Sequence, residues 1–105
     1  MKYKLYQIKD WEHNPYVFRG FSTAQKHGFS LADYEVVYEG DVKDNYTAVL
    51  EDFFTLFNVF RPNDFTGRSM SISDVVELDG EFYYTEAFGF KKLSKEETYV
   101  RIKAN

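Results

Sequence analysis

The chain holds 105 residues, 44% hydrophobic and 20% aromatic, with 13 Lys and Arg against 17 Asp and Glu for a formal net charge of −4. A chain of this length buries more than about 60% of its unfolded surface, enough for one core, so a single domain over 1–105 is expected. The absence of cysteine excludes a disulfide scaffold, thiolate catalysis and thiolate metal sites together.

No window approaches the ~20 apolar residues that cross a bilayer, and Met1-Lys-Tyr-Lys-Leu5 carries no apolar signal core, so a soluble cytoplasmic protein is expected. The charge is unevenly laid out: +3 over residues 1–31, −6 over 32–60 and −1 over 61–105. An acidic middle disfavours the continuous positive face that generic duplex binding needs. Asp33, Glu35, Glu39, Asp41, Asp44, Glu51 and Asp52 form either a solvated face or a docking face for a basic partner.

In chain order, residues 2–8 alternate as a first strand, with Tyr3 and Leu5 on one face and Tyr6 and Ile8 on the other. Asn14-Pro15 interrupts the chain. Ser22-Thr-Ala-Gln25 has capping-box spacing and Gly28 follows at a C′ position, which predicts a short N-terminal helix capped by Ser22. Tyr34-Glu-Val-Val-Tyr-Glu39 predicts a half-buried strand near a sheet edge, with Tyr34, Val36 and Tyr38 on one face.

Val49, Leu50, Phe53, Phe54, Leu56, Phe57 and Phe60 recur at helical spacing, which predicts a main amphipathic helix over about 46–58, ended by Pro62. Val75–Leu78, Asp79-Gly80 and Glu81–Ala87 predict a hairpin on a type I′ turn, with Val75 opposite Tyr84 and Val76 opposite Tyr83. Ser94-Lys-Glu-Glu97 is a second capping-box match, followed by a final strand at Tyr99–Ile102. The expected fold is α+β: a mainly antiparallel sheet of four or five strands, one main helix packed on a face, and a short N-terminal helix.

Three places can carry chemistry. His13 and His27 match no metal-ligand spacing, and neither a metal nor a cofactor is expected. Ser69-Met-Ser-Ile-Ser-Asp74 lacks the surroundings of a nucleophilic serine, which argues against hydrolase chemistry unless a histidine approaches Ser71 or Ser73. Its serines and Asp74 suit hydrogen bonds to loop amides, with Arg61 or Arg68 pairing to Asp64 or Asp74. The same residues, Arg61, Asp64, Arg68, Ser69, Ser71, Ser73 and Asp74, are also the candidate binding site, because loops between rigid elements hold binding groups. The third is Phe88-Gly-Phe90-Lys-Lys92 with Lys95, Arg101 and Lys103, where aromatics interleave with bases; the two Phe residues are read as core or as a bend at a strand end.

The stretch from Tyr34 to Phe90 resembles the YodL-like domain. The matching pieces are Tyr34-Glu-Val-Val-Tyr-Glu-Gly40, Leu50-Glu-Asp-Phe-Phe-Thr-Leu-Phe-Asn58, Arg61-Pro-Asn-Asp-Phe-Thr-Gly-Arg-Ser-Met-Ser-Ile-Ser-Asp-Val-Val76, Tyr83-Tyr84 and Gly89-Phe90. The carried-over motif residues are Pro62, Asp64, Gly67, Arg68, Ser69, Ser71, Ser73, Asp74, Gly89 and Phe90. The resemblance implies a bacterial cytoplasmic accessory domain of conjugative and other mobile elements, without a settled activity.

The expected function is therefore a non-catalytic protein-interaction module that uses the 61–74 loop, with an unidentified protein partner. The alternatives are an acidic nucleic-acid mimic that inhibits a DNA-binding enzyme, and a weak single-stranded nucleic-acid binder through the C-terminal aromatic and basic segment. Nucleic acid and membrane are disfavoured as partners, and a homodimer would cover aromatic area that one small core leaves exposed.

Overall fold

The computed structural model describes residues 2–41, 50, 53, 58 and 63–99. Five strands, β1 (Lys2–Ile8), β2 (Tyr34–Asp41), β3 (Val75–Leu78), β4 (Glu81–Thr85) and β5 (Phe90–Lys92), form one antiparallel sheet in the order β2-β1-β3-β4-β5. Between β1 and β2 lie a six-residue helix, α1 (Phe21–Lys26), and a 3₁₀ turn at Leu31–Asp33.

This corrects the expected α+β class. Among the described residues the architecture is a sheet with one short helix and one 3₁₀ turn, and no main amphipathic helix stands as a layer. Of the span 46–58 only Leu50, Phe53 and Asn58 are described, each in helical backbone; the remainder lies outside the described residues. Long-range strand pairing organises the described chain.

The sheet is covered on both faces, and strand alternation shows why. Tyr3 and Leu5 of β1, Val76 and Leu78 of β3 pack with Phe53, Phe65 and Met70 on one side. Ile8, Val75 and Tyr84 pack with Tyr16, Phe21, Ala24, Tyr34 and Leu93 on the other. A central strand buried on both faces reads as a near-continuous apolar run, as Val75-Val76-Glu77-Leu78 does. The Phe53 ring lies 4.7 Å from that of Tyr3 and is almost wholly buried. Phe53→Ala is therefore expected to cost about 3–5 kcal/mol in denaturant unfolding through lost contacts and a residual cavity.

The hairpin follows its sequence. Val75 pairs with Tyr84 and Val76 with Tyr83. Asp79 and Gly80 have φ of 53° and 81°, the positive values at both central positions that a type I′ turn requires.

Three local expectations need correction. In β2 the register slips where Leu5 faces Tyr38 and Tyr6 faces Val36, leaving Val37 as the extra residue of a bulge. Tyr34 and Tyr38 consequently enter opposite cores, and Val36 is 42% exposed, so the three do not share a face. The start of α1 is Phe21 after Gly20, without a side-chain cap from Ser22; the Phe21 amide donates instead to Glu86 Oε1 at 2.6 Å. Phe88 is 97% exposed and belongs to no core, while Phe90 opens β5 and packs beside the Phe53 cluster.

Ser94 and Glu97 do form a capping box: the Ser94 amide donates to Glu97 Oε1 at 2.8 Å and the Glu97 amide to Ser94 Oγ at 3.1 Å. The expected strand at 99–102 falls, beyond Tyr99, outside the described residues.

Candidate functional site

The connector that enters β3 is fastened from within and from β1. Gln7 lies on the inward face of β1 two residues after Leu5, and the alternation that buries Tyr3 and Leu5 buries it too. Its Nε2 donates to Arg68 O at 2.8 Å and to Asp74 Oδ2 at 3.0 Å, while its Oε1 accepts from the Arg68 amide at 3.0 Å. One buried amide thus supplies both donor and acceptor functions to two ends of the connector.

Asp74 closes the loop. Its Oδ2 also accepts from the Ser71 amide at 2.9 Å, and its own amide donates to Ser71 O at 3.1 Å, so residues 71–74 form a turn. Asp74 is almost wholly buried, Oδ1 has no hydrogen-bond partner, and burial pushes the carboxyl up to about 7 against the opposing pull of the Ser71 amide, Gln7 and Arg68.

Ser73 occupies the third position of that turn with φ of 84°, a conformation uncommon outside glycine. It is held there on three sides: its amide donates to Thr85 O, its carbonyl accepts from Tyr34 Oη at 2.6 Å, and its Oγ accepts from the Phe18 amide at 3.0 Å. Burial, with nearby Tyr84, Tyr16 and carboxylates, raises the Tyr34 phenol strongly, so it stays protonated and remains a donor. Ser71 Oγ donates to Ser69 O at 3.2 Å.

The predicted site residues divide accordingly. Ser71, Ser73 and Asp74 meet in the internal network. Asp64 lies apart, accepting from Tyr38 Oη at 3.1 Å, and Ser69 is exposed. Arg61 lies outside the described residues. Arg68 pairs with neither Asp64 nor Asp74; Nη2 donates to Ile8 O at 3.3 Å and the guanidinium lies between the Trp11 and Phe18 rings. Gly67 fits only as glycine, since an added Cβ would stand 2.7 Å from the Phe65 ring and 2.8 Å from Gln7 Oε1.

Sequence reasoning missed Gln7, Trp11 and Phe18. A polar residue on an otherwise apolar inward alternation was the available signal for Gln7.

His13 and His27 line one cleft of about 370 Å³ with Lys9, Asp10, Tyr16 and Asp33. His13 Nδ1 lies 2.8 Å from Asp10 Oδ1 and Tyr16 Oη donates to Asp33 Oδ2 at 2.7 Å. No histidine nitrogen bonds a serine hydroxyl among the described residues, and none of their His, Asp and Glu side chains form a cluster able to hold a metal ion. In the C-terminal segment Lys91 lies over the Phe21 ring and 3.3 Å from Glu97, and Lys92 lies 2.8 Å from Glu81, so both lysines are engaged within the chain. No helix among the described residues is long and apolar enough to cross a membrane.

An uncharacterised protein of Acanthamoeba polyphaga mimivirus, R785, is 30% identical over 96 residues, covering 75% of this chain and 88% of that protein. No solved structure matches. The YodL-like domain matches residues 2–95, which spans β1, the connector and the hairpin, and the chain belongs to that family.

Proposed function

We propose that the chain is a non-catalytic protein-interaction module, a cytoplasmic accessory domain of bacterial mobile elements, with the connector between residue 61 and β3 as its recognition surface. The observation that carries this reading is the division of labour within the connector. Ser71, Ser73 and Asp74 each bond within the chain, and the Thr66 and Ser69 side chains are exposed beside them. A loop whose geometry is fixed from beneath binds with little ordering cost. The mobile-element context rests on the resemblance of the stretch from Tyr34 to Phe90 alone.

Affinity capture from the native host with the whole chain, followed by mass spectrometry, tests the reading. A protein retained by the wild type should be lost with Thr66→Arg and Ser69→Arg together, because both side chains are exposed on that surface, with unfolding by denaturant checking that the variant keeps its fold. Equal retention by that variant would move the recognition surface elsewhere.

A further inference from the structure

Three segments distant in sequence meet at Arg68. Its Cζ lies 5.4 Å from the centre of the Phe18 ring and 5.9 Å from that of Trp11, the only tryptophan in the chain. Gln7 clamps the Arg68 backbone through both N–H and C=O. Nη2 is used on Ile8 O, and Nη1 is buried without a hydrogen-bond partner.

Phe18 is held in strain at this place. Its φ is 63°, a left-handed conformation that costs a bulky residue energy, and its amide is anchored to Ser73 Oγ. The strain is not offset by deep burial, since the Phe18 and Trp11 rings are each 44% exposed. What the strain secures is the position of an exposed ring beside a cation.

The adjoining cleft, about 240 Å³, is lined by Gln7, Lys9, Trp11, Glu35, Gly67 and Arg68 among others. Two cations against one carboxylate leave it positive in a chain whose net charge is −4. Arg68 forms no ion pair with a carboxylate among the described residues.

We propose that this cleft captures an extended peptide segment in which a carboxylate side chain neighbours an aromatic one: the carboxylate on Arg68 and Lys9, the aromatic ring on Trp11, with Phe18 outside the cleft lining and against Arg68. Tryptophan and arginine are the side chains that most often dominate binding surfaces, and a carboxylate matches the guanidinium fork. A nucleic-acid strand fits less well, because a repeated phosphate charge needs a longer positive track than two cations with Glu35 between them. The proposal deepens the recognition reading above and rests on it for the view that this face binds protein.

Trp11 reports on the cleft without a label. The whole chain is titrated, following tryptophan emission, with a blocked hexapeptide of alternating glutamate and phenylalanine, with the same peptide carrying glutamine or lysine for glutamate, and with oligothymidylate. A saturable change with the glutamate peptide is expected, weakened about tenfold or more by glutamine and by raised salt. Arg68→Gln, which keeps the backbone bonds to Gln7, should lose about tenfold, and Phe18→Asn, which tolerates the left-handed backbone, should also weaken binding.

The proposal is overturned if the glutamate peptide gives no saturable change, if the glutamine or lysine peptide binds as tightly, if oligothymidylate binds more tightly, or if Arg68→Gln leaves affinity unchanged. Failure here with host capture still lost in Thr66→Arg/Ser69→Arg leaves the recognition surface standing and removes only the peptide chemistry. Peptide binding with capture unaffected removes the connector reading and keeps the cleft.

Discussion

Gln7→Ala is expected to lower the unfolding free energy by about 3–5 kcal/mol, a large share of the 5–15 kcal/mol that holds a small domain together. The truncation strips the Arg68 N–H of its acceptor, the Arg68 C=O of its donor and Asp74 Oδ2 of one of its two donors, all in a part-buried or buried setting. Each buried group left short costs roughly 1–3 kcal/mol, and the missing side chain adds a cavity. Denaturant titration checks the value; a loss under about 1 kcal/mol would mean that the connector is held by something other than Gln7. Gln7→Glu should be worse at neutral pH than at pH 5, since it sets a second carboxylate against Asp74 in place of a donor.

Asp74→Asn has the second large expected effect, and its sign depends on pH. The folded carboxyl is raised to about 7 from 3.8, chiefly because burial disfavours its charge. Below pH ~4 folded and unfolded chains both carry the proton, and Asp74 makes no difference between them. From there to pH ~7 the folded chain holds a proton that the unfolded chain has released, so stability falls as pH rises, by as much as about 4 kcal/mol, and levels off above that.

Asparagine keeps an oxygen for the Ser71 amide and Gln7 Nε2 and removes the charge. The variant should therefore unfold about 2–4 kcal/mol harder than the wild type at pH 8, less where its new Nδ2 finds no acceptor, and match it within about 1 kcal/mol at pH 4. Thermal or denaturant unfolding across pH 4–8 checks this. A wild type whose stability rises across that range, with Asp74→Asn weaker at pH 8, would show that the carboxylate is wanted in its charged form.

Much of the sheet was readable from local chemistry. The register of the β3–β4 hairpin follows from Asp79-Gly80, because two residues that both accept positive φ fix which pairs face each other. The Ser94–Glu97 box and the extent of β1 are likewise local. The β2 bulge was not readable: alternation assigns Tyr34, Val36 and Tyr38 to one face, and a single extra residue at Val37, placed by pairing with β1, sends them apart. Strand β5 is three residues long, too short for a periodic signal. The main helix does not stand as a layer among the described residues, and of its span only Leu50, Phe53 and Asn58, each in helical backbone, are described.

The candidate site was legible in part. Asp74 bonds the Ser71 amide and Ser71 Oγ the Ser69 carbonyl over short range, whereas Ser73 Oγ accepts from the distant Phe18 amide. The partners that matter most, Gln7, Phe18 and Tyr34, come from 39 or more residues away and carry no local mark of their role. Arg68 was expected on a carboxylate and lies between two rings instead, a choice decided by where Trp11 and Phe18 fall once the sheet has formed.

Amide hydrogen exchange at Arg68, Ser71, Ser73 and Asp74 measures directly whether the connector is a rigid platform. Their N–H groups donate to Gln7 Oε1, Asp74 Oδ2, Thr85 O and Ser71 O, so they should exchange only on global unfolding, as slowly as the amides of β3. Exchange within about tenfold of an unstructured peptide at these four positions, while β3 stays protected, would contradict a fixed recognition surface.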